Sequence, residues 1–379
     1  MSDSETDGDT FDIIVIGAGI AGAGIAWNLA ADARVAIVER EDQPGYHTTG
    51  RSAAVYLKGY GTEVIRDLTV LSEAFLAGPP ADFSEVPLIH PRGALTLVRP
   101  DQMDRLDRYL ARQRRHLPHV ERLDPKAILA MVPALDPAYA AAAVYDGDAR
   151  DLDVDAIFQG FLRGFRQRGG KLLTSAEVRT VDHGNGLWHV GTARGSLHAP
   201  VVVNAAGAWA DELAALAGLG PLGMVPKRRT ALIVRPPDGL DVSGWPCVDD
   251  IDEQFYFRPE AGKLLCSPAD TTPSEPCDAQ PEELDIAIAI DRIERALPLG
   301  IRRVERSWAG LRTFVADGSP VVGFDPRAEG FFWLAGQGGY GIQTSPALSQ
   351  LAARLATRLE LNGKELEIAA ALGPDRFLG

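Results

Sequence analysis

The chain has 379 residues, 46% of them apolar, with 38 basic against 52 acidic residues and a net charge of −14. That length exceeds one simple core and suits two intimately joined domains. The acidic balance argues against nucleic acid or an anionic membrane surface as the main partner, because both reward basic patches.

Cys247, Cys266 and Cys277 show no C-x-x-C spacing, so neither a disulfide framework nor a zinc site is indicated, and a reducing cytoplasm fits. Residues 1–11, MSDSETDGDTF, are acidic and polar, unlike the start of a signal peptide, and read as a disordered, solubilising leader. No apolar run approaches the roughly eighteen residues of a membrane helix.

Asp12 to Glu39, DIIVIGAGIAGAGIAWNLAADARVAIVE, reads as strand, glycine turn, helix, strand. Ile13–Ile16 is a short apolar run of the kind found inside a parallel sheet. Gly17, Gly19 and Gly22 follow in G-x-G-x-x-G spacing: the first permits the tight turn, the second lets backbone approach a pyrophosphate, and the third lets the helix pack on the sheet. Free N–H groups at that helix start face phosphates. Glu39 closes the second strand where an acid accepts hydrogen bonds from a ribose.

Gln43 to Ala54, QPGYHTTGRSAA, is a loop of Gly and small hydroxyl residues suited to lie against a flat ring or a diphosphate. Tyr56 and Tyr60 suit either core positions or a lid over a pocket. Thr62–Leu76 has the period of an amphipathic helix, and Gly78-Pro79-Pro80 breaks it. Glu85–Leu97 reads as strand and loop in a new domain. Asp101–Leu117 reads as a charged helix with Arg112, Arg114 and Arg115 on a solvated face.

Asp155–Gln167 is a further helix, and Pro200–Asn204 another buried strand running into Ala205-Ala206-Gly207-Ala208-Trp209, which repeats the logic of the opening. Lys227–Val234 and Gln254–Leu265 alternate like antiparallel strands. Phe331–Leu334 is a last apolar strand, followed by Gly336–Gly341 and a helix from Thr344 to Leu359, a second anion-ready N-terminus. Nucleotide-domain strands thus fall near residues 13, 201 and 331, with antiparallel material inserted twice. The expected division is 12–80, 146–222 and 305–379 for a Rossmann-type α/β dinucleotide domain, and 81–145 with 223–304 for a discontinuous antiparallel-sheet substrate domain.

The fingerprint with Glu39, Val178 after an acidic residue, the strand into Asn204-Ala205-Ala206-Gly207, the D-G-x-P-x-x-G run from Asp317 to Gly323 and the closing Gly-rich helix start resemble the flavin-dependent D-amino-acid oxidase superfamily, with its D-amino-acid oxidase/glycine oxidase-like α+β fold. The runs QPGYHTTGRSAA, VNAAGAW, PKRR, FYFRPEAG, QPEELDIA, WAGLR-FVADG and GQGGYGIQTS are most similar to the bacterial D-arginine dehydrogenases within it.

The resemblance implies non-covalent FAD and no metal. It places the cofactor on Gly17, Gly19, Ile20, Ala21, Gly22, Glu39 and Arg40, on the loop His47, Thr48, Thr49, Gly50, Arg51, Ser52 and Ala53, and on Val178, Ala206, Gly207 and Trp209. The closing turn and helix add Gly338, Gly339, Tyr340, Gly341, Ile342, Gln343 and Thr344, together with Arg312. The implied activity is oxidation of a D-amino acid by hydride transfer from Cα to flavin N5, leaving an imino acid that water hydrolyses to keto acid and ammonia.

Arg229 in PKRR and Arg312 in WAGLR match carboxylate-binding arginines, with Tyr256 in FYFRP as hydroxyl donor. Gly339 is implied to offer its backbone carbonyl to the substrate amine, and Tyr56 joins the set as a pocket tyrosine. Glu85, in its Glu-x-Pro-Leu context, is implied to face a distal cation, hence a basic substrate of D-arginine or D-lysine type. Asp249 departs from the family's apolar pattern and would add a second carboxylate if it faces the pocket.

His47 has three readings: a polar wall beside the flavin, a proton relay, or a covalent attachment point. Trp308 stands where some relatives attach flavin through cysteine, so that linkage is excluded. No catalytic base is assigned. A secondary amine such as sarcosine, a 2-hydroxy acid, or a non-catalytic flavoprotein role remain the alternatives. The electron acceptor, quinone or oxygen, is open.

Overall fold

The computed structural model describes residues 9–378. Its nucleotide-side sheet has six strands in the order Lys171–Leu173, Val35–Val38, Ile13–Ile16, Val201–Asn204, Phe331–Ala335 and Val321–Phe324, all parallel except the last. The central strands are apolar on both pleats because both faces are covered. On one face the fingerprint helix Ile20–Leu29 packs between Val154–Gln167 and Gly341–Ala356. On the other lies an antiparallel layer, Val178–Gly184, Leu187–Thr192 and Gly195–Ala199, around Trp188, Val190 and Leu197.

Part of the expected leader is folded. Residues 1–8 lie outside the described residues, but Asp9–Thr10 pairs in parallel with Leu197–His198, and Phe11 is buried. An aromatic so close to a hydrophobic sheet gains more from burial than the last residues of the tail lose in freedom.

The second large sheet runs Thr272–Pro273, Val225–Val234, Lys263–Ser267, Tyr256–Glu260, Cys247–Asp250, Ala94–Val98, Ala142–Asp146 and Glu121–Leu123, with Val304–Phe314 paired to Val225–Val234. It is antiparallel except between Cys247–Asp250 and Ala94–Val98. One face carries Leu95, Leu97, Val248, Phe257, Leu264 and Cys266 into a core closed by the helices Pro125–Met131 and Glu283–Ala296. Strand alternation then sends Thr96, Asp249 and Tyr256 to the opposite face.

These two sheets with their helices are the α/β and antiparallel layers expected from the sequence. Among the described residues no helix is long and apolar enough to cross a membrane.

Candidate functional site

Two adjoining cavities, of about 490 Å³ and about 420 Å³, lie between the sheets and share Ser52, Ala53, Arg229, Tyr256, Arg312 and Gly339. The first runs along the fingerprint. Gly17 has φ +105°, and a Cβ there would fall 2.4 Å from the Ala205 carbonyl oxygen; a Cβ at Gly22 would fall 1.9 Å from the Gly17 carbonyl oxygen. Only glycine allows this turn and this helix-on-sheet approach.

Glu39 is buried at the end of its strand, where its carboxylate accepts from the Ala18 N–H at 2.8 Å and the Glu41 N–H at 3.0 Å. Thr49 Oγ1 accepts from the Ile20 N–H at 3.0 Å, at the mouth of the fingerprint helix. Further along, Arg40 lies over the Trp209 ring at 5.0 Å and His47 packs on the same ring at 4.7 Å. His47 Nε2 is 2.9 Å from Glu41 Oε1, and Val178 and Gly207 complete this end. A glycine turn too tight for any side chain, a helix start turned to the cavity and an acid at the strand end together fit a dinucleotide.

The loop around His47 is laced to the strand Val304–Phe314. Thr48 Oγ1 donates to the Leu311 carbonyl at 2.7 Å, Arg51 donates to those of Ala279 and Ala309 at 2.8 and 3.0 Å, and Trp308 Nε1 donates to the Arg51 carbonyl at 2.9 Å. Arg51 also pairs with Asp278.

At the junction of the cavities, Arg229 stands opposite Gly310 across two paired strands, so Arg312 is its diagonal neighbour. Arg229 is held by a hydrogen bond from Nε to the Asp270 carbonyl at 2.8 Å. Burial, and then the charge of Arg312, press its pKa below the ordinary value. Burial also opposes the charge of Arg312, but Tyr60, Tyr256 and Tyr340 around it outweigh that and hold its pKa above the ordinary value. Among the described residues neither guanidinium lies within 4.0 Å of a carboxylate.

In the second cavity, register places Thr96, Asp249 and Tyr256 in one row across three strands. Burial pushes the Asp249 carboxyl up to about 7, against a hydrogen bond with Thr96 that pulls the other way, with Glu253 adding to the rise. Tyr60 and Tyr340 stack edge to face at 4.9 Å on the same wall.

The sequence-derived residues divide accordingly. Most line the first cavity; Tyr340 lines the second, while Gly22 and Gly50 serve backbone geometry. Gln343 and Thr344 line neither: Gln343 donates to Thr69 Oγ1 at 2.8 Å and accepts from the Leu57 N–H, and Thr344 donates to the Tyr340 carbonyl. Their side chains hold the helix start.

Two expectations about the substrate pocket are not met. Glu85 is exposed and lines neither cavity, because Phe83 and Leu88 take the buried positions on either side and turn residues 85–87 outward. Tyr56 is 1% exposed in the core, donating to the Thr69 carbonyl at 3.0 Å. The helix Met103–Arg114 exposes Arg112 and Arg114, and Arg115 after it, as expected, but it is not wholly solvated: Tyr109 and the buried Gln113 line the second cavity, as does Arg66 from Glu63–Ala77, with the exposed Arg112 at its rim. Arg66 shares a helix face with Thr69 and Ser72, a polar stripe within an otherwise apolar contact, and that stripe is the signal that could have marked it.

Comparison with known proteins agrees with this geometry. Residues 12–355 match the sequence profile of a family described as FAD dependent oxidoreductase. The chain is 27% identical to glycine oxidase of Bacillus licheniformis over 354 residues, covering 90% of this chain and 92% of that one. It is 27% identical to sarcosine oxidase subunit beta of Rhizobium meliloti over 384 residues, covering 97% and 88%. The crystal structure of glycine oxidase from Geobacillus kaustophilus superposes with a TM-score of 0.83 at 25% identity, covering 93% of this chain and 96% of that one. These names speak for the family and not for a D-arginine dehydrogenase.

Proposed function

Because the chain belongs to the FAD-dependent oxidoreductase family, with FAD as its cofactor and amino-acid or amine oxidation as its type of chemistry, we propose that it oxidises a free α-amino acid bound by its carboxylate. One observation carries this reading. Arg229 and Arg312, diagonal neighbours with Tyr256 beside them, stand without a carboxylate partner among the described residues at the junction of the two cavities.

A planar guanidinium binds a carboxylate through two parallel N–H···O bonds, which fixes orientation as well as position. The Tyr256 hydroxyl adds a third donor. With the carboxylate so fixed, the backbone carbonyl of Gly339 accepts from the amine, and Tyr60 and Tyr340 shut out water. When bound, FAD supplies the two-electron oxidation of the Cα–N bond. The product imino acid is then hydrolysed to keto acid and ammonia.

Anaerobic mixing of the FAD-loaded protein with both enantiomers of a panel of amino acids, with sarcosine and with 2-hydroxy acids tests this. Loss of the oxidised-flavin absorbance with an α-amino acid is expected. A spectrum unchanged by every α-amino acid overturns the proposal, and peroxide release in air reports whether oxygen is the electron acceptor.

A basic D-amino acid is the second reading, and it rests on Asp249 alone, since Glu85 is on the surface. Preferred turnover of D-arginine or D-lysine that falls with Asp249→Asn would favour it.

A further inference from the structure

The second cavity extends past Tyr340 to a cluster that carboxylate docking does not use. Arg66 is 7% exposed, its Nε has no hydrogen-bond partner, and no carboxylate lies within 4.0 Å of it among the described residues. Burial, and then the charge of Arg112, hold its pKa below the ordinary value, while Tyr109, Glu63 and Tyr340 act in the other direction. Gln113, 6% exposed, also leaves its Oε1 buried without a partner.

An enclosed guanidinium with neither hydrogen bond nor counter-ion is costly to keep unless something in the cavity supplies the negative charge. The acids that share this cavity do not supply it. Asp250 is bound to Arg99 and Gln102, Asp146 to His119, and Glu253 is exposed. Asp249 sits in the Thr96–Tyr256 row, where burial favours its protonated form.

We infer that the buried Arg66 and Gln113, with Tyr109 beside them and the exposed Arg112 at the rim, form a second anion subsite, and that the preferred substrate is an amino dicarboxylic acid. Its α-carboxylate sits on Arg229 and Arg312 and its distal carboxylate on Arg66. This rests on the amino-acid oxidation proposed above and assigns the class of side chain. Turning the Gln113 amide over presents its NH₂ group to the distal carboxylate and leaves its oxygen to accept from the Tyr109 hydroxyl. A protonated Asp249 repels no anion and can donate a hydrogen bond to one.

The test is anaerobic flavin reduction of the FAD-loaded protein by glutamate, aspartate and 2-aminoadipate of both configurations, beside glutamine, alanine and arginine. One dicarboxylic acid is expected to exceed its neutral amide in kcat/KM by on the order of tenfold to a hundredfold. Arg66→Met should erase that ratio and Arg66→Lys should restore part of it, with FAD content confirming the fold of each variant. Reduction by amino acids with no dicarboxylate preference, fastest reduction by arginine, or an unchanged ratio in Arg66→Met overturns the inference and leaves amino-acid oxidation standing. Reduction by no amino acid at all overturns the broader reading.

Discussion

Asp249→Asn has a consequence for stability that follows from the placement of the carboxyl. The native group titrates at about 7 instead of 3.8, and at 1.36 kcal/mol per unit that shift is worth about 4 kcal/mol, a ceiling for a group that opens on a cavity. Below pH 3.8 the folded and unfolded chains both hold the proton, so Asp249 contributes nothing to a pH dependence. As pH rises toward 7 the unfolded chain releases the proton while the folded chain keeps it, so stability falls; above 7 both are ionised and the loss is constant. Asparagine has no proton to lose, so the variant gains on the wild type across that interval.

With an unfolding entropy of roughly 2.1 cal/mol/K per residue over 379 residues, 4 kcal/mol corresponds to about 5 °C in Tm. Scanning calorimetry of the FAD-loaded proteins between pH 4 and pH 8 reads it directly. The variant's Tm minus that of the wild type should rise by up to that amount. Parallel curves would refute the reasoning, and a wild type that gains on the variant as pH rises would mean an ionised, stabilised Asp249.

Arg312→Met should lower kcat/KM for the best amino acid by on the order of 10²- to 10³-fold, the effect of removing one partner of a buried charged contact, with FAD content retained. Gly17→Ala should yield colourless protein, because the new Cβ meets the Ala205 carbonyl in a backbone conformation that L-residues avoid; the ratio of flavin to protein absorbance measures it. Glu85→Gln should leave kcat/KM within about twofold for every amino acid, as expected of an exposed side chain, and selective loss of basic substrates would return Glu85 to the pocket. Acid precipitation of the wild type should release all FAD to the supernatant, whereas a yellow pellet would mean a covalent link through His47.

The nucleotide half was legible because backbone sterics dictate its signal. Gly17 and Gly22 are set by spaces too small for a side chain, and Ile13–Ile16 and Phe331–Ala335 by burial on two faces. Of the row Thr96, Asp249, Tyr256, only Tyr256 falls in a stretch that reads as an alternating strand; the strand Cys247–Asp250 is four residues long and lies between turns, too short for alternation to mark it. The far end of the second cavity was not legible. Arg66 and Gln113 lie on amphipathic helices, and a helical pattern separates polar from apolar faces without saying whether a polar residue meets water or an enclosed space. Glu85 misled for a related reason: a short Glu-x-Pro-Leu context fixes the backbone locally, whereas the direction of the side chain was decided by Phe83 and Leu88 seeking the core.

The alternation that aims Thr96, Asp249 and Tyr256 into the cavity also polices assembly of the sheet. A slip of one residue in any of these strands would drive an acid or a hydroxyl into the layer of Leu95, Val248 and Phe257, and turn a leucine, valine or phenylalanine toward the cavity. A misregistered chain is therefore penalised twice, in the packing of its core and in the lining of its cavity. Mutational repair of the one without the other should be rare, so whatever preserves the lining of this cavity also preserves the correct pairing of its strands.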